Sequence, residues 1–319
     1  MSALFSFPSG APFQIVGLGI NVVNYLYLLE RFPEPDSKVD PLDFTEQGGG
    51  LVATALVACA RLGVRTKYVG KIGTDEAGRW SRESLAREGI DVADVVEDPQ
   101  EHTRVTFGMI EKPTGRRTLI RNMPPLARLR PDEVPDAAVT CGALLHLDGY
   151  EGPVAVWAAR LARAAGIPVS LDAERATESR EELFPLTDIL IVGKDLGSEI
   201  TGRTAIPDIL DGLAAYGPRI VGVTSGADGA VVRDRTETVF VPGYQVPVVD
   251  TTGAGDVFHG AFVAGVVWGW PLQECLRLAN AVAALKCRTL GGRAGIPSLE
   301  ETRAFVRQTG PDFPPIGQA

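Results

Sequence analysis

The sequence predicts an α/β fold, a mostly parallel sheet covered by helices on both faces, with a small second β sheet inserted as a lid. Three observations predict it. Apolar runs alternate with amphipathic stretches along most of the 319 residues, the pattern of strand and helix units whose strands are buried on both sides. Hydrophobic residues make up 45% of the chain and charged ones 22%, a globular composition that can fill a large core. One region breaks the rhythm, where two alternating segments flank the turn Lys112-Pro113-Thr114-Gly115.

In chain order, the strand candidates are Phe13 to Gly17, Thr66 to Gly70, Ala143 to Leu147, Ile167 to Leu171, Ile189 to Val192, Ile220 to Thr224 and Ala230 to Arg233. Each is a short apolar run closed by a turn residue or a charged stretch. The helix candidates between them are Leu51 to Leu62, Gly78 to Glu88, Pro153 to Ala165, Ile206 to Tyr216, Ala254 to Gly269, Leu272 to Thr289 and Leu299 to Thr309. Val105 to Ile110 and Arg116 to Arg121 read as a hairpin, and Ser37 to Thr45 as a further extended piece. The expected organisation is one domain over residues 13–319, with lid strands inserted at about 20–47 and 104–123 and a loose tail from Gly310.

Charge and length exclude several classes. Thirty-one basic against 40 acidic residues give a net charge of −9, which argues against a nucleic-acid partner. The longest apolar stretch, Ala261 to Gly269, falls well short of the roughly 20 residues that cross a bilayer, and the first residues lack the basic start and apolar run of a secretory signal. A cytoplasmic protein without a membrane partner is expected. Cys59, Cys141, Cys275 and Cys287 show no CxxC pairing and read as free thiols. Gly17-Leu18-Gly19 invites a dinucleotide reading, but Val22 stands where a third glycine belongs, so a strand ending in a tight turn is preferred.

The segment that carries chemistry is Asp250-Thr251-Thr252-Gly253-Ala254-Gly255-Asp256, running into an apolar helix. Small residues let backbone approach a ligand, and free amides at a helix N-terminus favour an anion. Asp256 is placed to accept the proton of an attacking hydroxyl while the amides of Gly253, Ala254 and Gly255 stabilise charge on a transferred phosphoryl group. Taken alone, Asp256 reads equally well as a helix cap.

A second motif tips the balance: Gly48-Gly49-Gly50, Ala53-Thr54-Ala55, Ala60-Arg61-Leu62-Gly63, Val69-Gly70, Ile72-Gly73-Thr74-Asp75 and Gly78. Together the two motifs resemble the signatures of the PfkB (ribokinase-like) carbohydrate kinases, over residues 13–308. The resemblance implies a three-layer, Rossmann-like domain with a β lid, ATP as donor, Mg²⁺, and transfer to a sugar hydroxyl. It implies Asp256 as catalytic base and Gly253, Ala254 and Gly255 as anion hole. Thr224, Ser225, Gly226 and Gly229 resemble the glycine turn beside the nucleotide, and Asn280 lies on the helix flanking the adenine. Asp250 and the Thr252 carbonyl resemble ligands of the monovalent cation, K⁺, that some members bind. A homodimer through the lid is also implied.

Several positions depart from the family pattern. Gly49, Gly50 and Ala53 replace a GGNxAN segment, Asn24 stands where relatives carry a sugar-binding Asp, and Gly193-Lys194-Asp195-Leu196 replaces the NxxE element that arranges magnesium waters. The strings Phe44 to Gly50, Asp250 to Ala261, Ala283 to Cys287 and Gly291 to Pro297 resemble the sulfofructose kinases, whose sulfonate contacts match Lys38 and Asn122. Pro35-Asp36-Ser37-Lys38 and His146-Leu147-Asp148-Gly149 resemble ketohexokinases. Substituting glycines for hydroxyl readers, with Lys38, Arg121 and Asn122 on the lid, suits a substrate with an anionic end. The candidate substrate residues are therefore Asn24, Asp36, Lys38, Gly49, Gly50, Arg121 and Asn122. His259, one turn beyond Asp256, is read as a packing residue within reach of the site. Two alternatives stay open: a nucleoside kinase of the same fold, and a non-catalytic sugar binder, which would have lost Asp256.

Overall fold

The computed structural model describes residues 4–124, 128–175 and 179–316. Its strands and helices, in chain order, are β1 (Phe13–Leu18), β2 (Val22–Leu29), β3 (Asp43–Gly49), α1 (Leu51–Arg61), β4 (Thr66–Gly73), α2 (Glu76–Arg87), β5 (Val95–Asp98), β6 (Val105–Glu111), β7 (Arg117–Asn122), α3 (Asp136–Thr140), β8 (Gly142–Leu147), α4 (Pro153–Ala164) and β9 (Val169–Ala173). They continue as α5 (Arg180–Leu183), β10 (Ile189–Gly193), α6 (Lys194–Thr201), α7 (Ile206–Ala214), β11 (Ile220–Thr224), β12 (Ala230–Arg233), β13 (Thr238–Val241), α8 (Ala254–Val267), α9 (Leu272–Lys286) and α10 (Leu299–Val306).

Nine strands form the main sheet in the order β13-β12-β11-β10-β9-β8-β1-β4-β5. It is parallel from β11 to β5, and at one edge β12 pairs antiparallel with both β11 and β13. Alternate side chains enter opposite cores, because successive residues of a strand face opposite ways. Ile189 and Ile191 of β10 join α1, α8 and α9 on one side, while Leu190 and Val192 join α4 and α7 on the other. Burying each such side chain contributes about 1.5–3 kcal/mol. Among the described residues no helix is long and apolar enough to cross a membrane.

The lid is a four-stranded sheet in the order β3-β2-β6-β7. Its hairpin β6–β7 forms as the sequence predicts. The extended piece expected at 37–45 lies further on, at Asp43–Gly49, because its pairing with β2 runs from Leu28 opposite Asp43 to Val22 opposite Gly49. Strand alternation gives the lid two distinct faces. Asn24, Leu26, Thr106, Arg117, Leu119 and Arg121 line the cavity beneath, whereas Tyr25 stacks on Phe107 and Tyr27 packs on Phe44 at the outer face.

The described segments near both termini are packed on the core. Leu4 and Phe5 are buried in the core, ahead of Phe13. The segment expected to be loose is anchored by Phe313, which stacks on Trp270, and by Arg303, which donates to the carbonyls of Phe313 and Pro314; residues 317–319 lie outside the described residues. The cysteines are free thiols, as the sequence suggests. The Gly17 turn is structural: a Cβ on Gly19 would meet the Asp148 carboxylate, whose Oδ2 accepts from the Ile20 amide at 2.7 Å.

Candidate active site

A cavity of about 880 Å³ lies between the lid and the C-terminal ends of the parallel strands, where open α/β sheets bind ligands. Each strand delivers residues as it ends: Asp172, Glu174 and Arg175 at β9, Asp195 just beyond β10 and Thr224 at β11. Asp256 enters from the first turn of α8. Gly253 caps that helix at φ +76°, a left-handed conformation that favours glycine, with Gly292 packed against it.

The turn before α8 is held by Asp250, which is fully buried. Its Oδ1 accepts from the Thr252 amide at 2.9 Å and the Thr252 hydroxyl at 2.7 Å, and its Oδ2 from the Gly291 amide at 2.8 Å. Ala254 donates its amide to the Thr251 carbonyl, so the expected anion hole narrows to Gly253 and Gly255, whose amides have no protein acceptor among the described residues. Asp256 keeps part of its surface open to the cavity, yet burial and then the Glu174 carboxylate push its pKa up to about 6, against the pull of Lys286 and Arg293. It remains ionised at neutral pH and can accept a proton.

Behind the base, His259 is buried and lies 3.3 Å from Asp172. Burial lowers the histidine to about 3 and raises the Asp172 carboxyl, the latter helped by Asp256. The contact is thus a close approach of a neutral imidazole to the carboxyl group. His259 is both a packing residue and part of the cavity wall.

Arginines dominate the other end. Arg117 and Arg121 descend from the lid, Arg175 follows β9, and a neighbouring cavity of about 590 Å³ adds Arg128 and Arg104. Arg104 is ion-paired with the buried Glu151 at 2.7 Å. Among the described residues, Arg117, Arg121, Arg128 and Arg175 have no carboxylate at ion-pair distance. Arg121 donates to the Tyr150 hydroxyl, Tyr150 donates to Glu174, and the Arg175 guanidinium lies over the Tyr150 ring. Tyr150 therefore holds two of these side chains in place.

On the far side of Asp256, an apolar cleft of about 240 Å³ runs from Gly226, Ala227 and Gly229 past Val246 and Val248 to Asn280 and Ala284. Thr224, Thr251, Ala254 and Gly255 border both spaces. Ser225 turns its amide onto the Gly229 carbonyl and shapes the loop without lining the cleft. Asn280 spends its amide nitrogen on the carbonyls of Val241 and Pro242, which fixes the segment that walls the cleft.

The structure brings Asn24, Gly49, Gly50 and Arg121 to the cavity. A Cβ at Gly48 or Gly49 would meet the Arg293 guanidinium or the Asn24 amide, so the glycines leave room for those two side chains. Asp36 and Lys38 are exposed and line neither of these two cavities; their loop precedes β3 at the far end of β2. Asn122, next to inward-facing Arg121, falls on the opposite face by strand alternation. Sequence reasoning missed Asp172, Glu174, Arg117, Arg128 and Arg175. The signal available for Asp172 to Arg175 was their place just after a parallel strand; Arg128 has none.

The sequence pattern of the pfkB family carbohydrate kinases matches residues 14–299. An ATP-dependent ribose-1-phosphate kinase from Halopiger xanaduensis is 28% identical over 283 residues, 88% of this chain and 93% of that protein. A crystal structure of a putative ribokinase from Agrobacterium tumefaciens superimposes with a TM-score of 0.87 at 27% identity, covering 93% of this chain and 98% of that one. The Arabidopsis thaliana ribokinase complexed with ribose and ATP gives 0.80 at 25%, over 92% and 99%.

Proposed function

The chain belongs to the pfkB family of carbohydrate kinases, phosphotransferases acting on sugar hydroxyls, and from that premise we propose that it phosphorylates a ketose carrying an anionic end. The observation that supports this most is the set of arginines with no carboxylate at ion-pair distance among the described residues, Arg121, Arg128 and Arg175, around the part of the cavity away from the Asp256 turn. Guanidinium groups with no carboxylate at ion-pair distance can donate charge-assisted hydrogen bonds to a carboxylate, sulfonate or phosphate that enters between them. The Halopiger relative is named for a phosphorylated sugar, and 6-deoxy-6-sulfofructose is one member of the same chemical class. The aromatic residues that could clasp a purine, Tyr25, Tyr27 and Phe107, stack on the outer lid face, which favours a sugar over a nucleoside acceptor.

In this reading ATP lies with its base in the apolar cleft and its phosphates toward the amides of Gly253 and Gly255. The Asp256 carboxylate takes the proton of the acceptor hydroxyl as its oxygen attacks the γ-phosphorus, and the free amides stabilise charge spreading over the transferred group. Glu174 and Asp195 are oxygen donors of the kind that hold magnesium waters, on the wall near the base; Mg²⁺ bound with the nucleotide would neutralise phosphate charge there. Nearby, Gln47 of β3 ties the lid to the 290–294 loop by accepting from the amides of Arg293 and Ala294. The Arg117 guanidinium donates to the Thr251 hydroxyl at 2.9 Å. Lid position and base position are thereby linked.

The protein is further read as a cytoplasmic homodimer joined through the lid, whose outer face exposes Phe44, Phe107 and Ile120. Analytical ultracentrifugation tests the dimer, and a monomer at micromolar concentration contradicts it. The substrate reading is tested by ATP consumption with a panel of ketoses and their sulfonated, phosphorylated and carboxylated counterparts. Preference for anionic members is expected; equal or better turnover of neutral sugars contradicts it.

A further inference from the structure

The residues around Asp250 do not suit a bound monovalent cation. Both oxygens of its carboxylate are already engaged by donors, and a lysine side chain is built in beside it. Lys286, the last residue of α9, is fully buried, and its ammonium donates to the Asp250 carbonyl at 2.8 Å. Among the described residues no carboxylate lies at ion-pair distance from it. A buried ammonium is costly unless charge nearby offsets it; burial lowers the pKa of Lys286, and the acidic groups Asp250 and Asp256 act against that pull.

We propose that the Lys286 ammonium replaces the monovalent cation beneath the anion hole, making the protein independent of potassium. The side chain performs both jobs such an ion could perform here. It pins the 250–253 turn to the end of α9, where Val249 and Asp250 also donate their amides to the Cys287 carbonyl. It also supplies positive potential beneath the amides of Gly253 and Gly255, where charge grows on the transferred phosphoryl group. Lys286 is a positioning residue, since it touches the backbone that carries the hole and touches no reacting atom.

The inference rests on the kinase reading only for turnover, so its test has an arm that needs no acceptor. Thermal unfolding of the intact protein is followed in potassium, sodium and tetramethylammonium chloride at equal ionic strength, for wild type and Lys286→Met. The expected result is one midpoint in all salts for wild type, and a variant stabilised specifically by potassium. In turnover assays with ATP, wild type is expected to be indifferent to the cation, while the variant loses about tenfold or more in kcat without potassium and regains part of it with potassium. Potassium-specific stabilisation or activation of wild type overturns the proposal, as does a variant blind to potassium. Should the variant not fold, the wild-type salt series decides alone.

Discussion

Nε2 of His259 lies 3.3 Å from Oδ1 of Asp172, one turn along α8 from Asp256, and the second oxygen of that carboxyl is buried with no hydrogen-bond partner among the described residues. An unpaired buried oxygen costs about 1–3 kcal/mol, and an acceptor hydroxyl bound in the cavity would remove that cost. Asp172→Ala is therefore expected to raise KM for the acceptor about tenfold while KM for ATP changes little. Equal effects on both would take Asp172 out of the acceptor subsite.

Turnover and stability should respond to pH in opposite directions. Asp256 acts as a base only when ionised, and its pKa is raised to about 6, so kcat should fall as pH drops below 6, with an acidic limb near that value. The same upward shift means that the folded state disfavours ionisation. Its contribution to stability is whole below the ordinary carboxylate range and is lost as pH rises toward 6. Asp148, raised to about 7 chiefly by burial, acts in the same sense. Asp256→Asn should then be more stable than wild type at pH 8, with the gap narrowing at pH 5, as read from urea midpoints.

Charge recognition can be separated from general damage. Arg175→Ala and Arg128→Ala should each raise KM for an anionic acceptor about tenfold or more and change KM for a neutral ketose little. Lys38→Ala should leave both values alone, because Lys38 lies outside the cavity. Parallel losses on charged and neutral sugars from the arginine variants would remove the anionic-substrate reading.

Two glycines of α8 should behave differently. A Cβ on Gly260 would strike the Ala55 carbonyl of α1, so Gly260→Ala should destabilise by about 1–3 kcal/mol in chemical denaturation. Gly255 has open space beside it, in the cavity and the cleft that meet there. Gly255→Val should keep its unfolding midpoint and lose turnover.

The parallel sheet, the hairpin and the turn leading to Asp256 were legible because each is written locally, in periodicity, in glycine and in a helix start. What was not legible depends on contacts between distant segments. Gln47 meets Arg293, and Lys286 meets Asp250, through packing that no spacing announces. Strand β2 falls inside the lid insertion expected at about 20–47, but its bounds were not legible because Asn24 and the tyrosines around it mix polar and aromatic residues on two faces that are both used. Lys38 was misleading for a related reason: its charge and position suggested a lid contact, but the turn before β3 carries it away from the cavity. Phe313 anchors a segment whose prolines and polar residues read as loose, and only the Trp270 ring explains why it is held.

The central claim is that Asp256 is the base. Single-turnover transfer from ATP to the best acceptor, compared for wild type and Asp256→Asn with nucleotide affinity measured by calorimetry, tests it most directly. The account predicts a fall of about a thousandfold or more in the transfer rate with ATP binding retained. A variant that transfers phosphate at nearly the wild-type rate would contradict it.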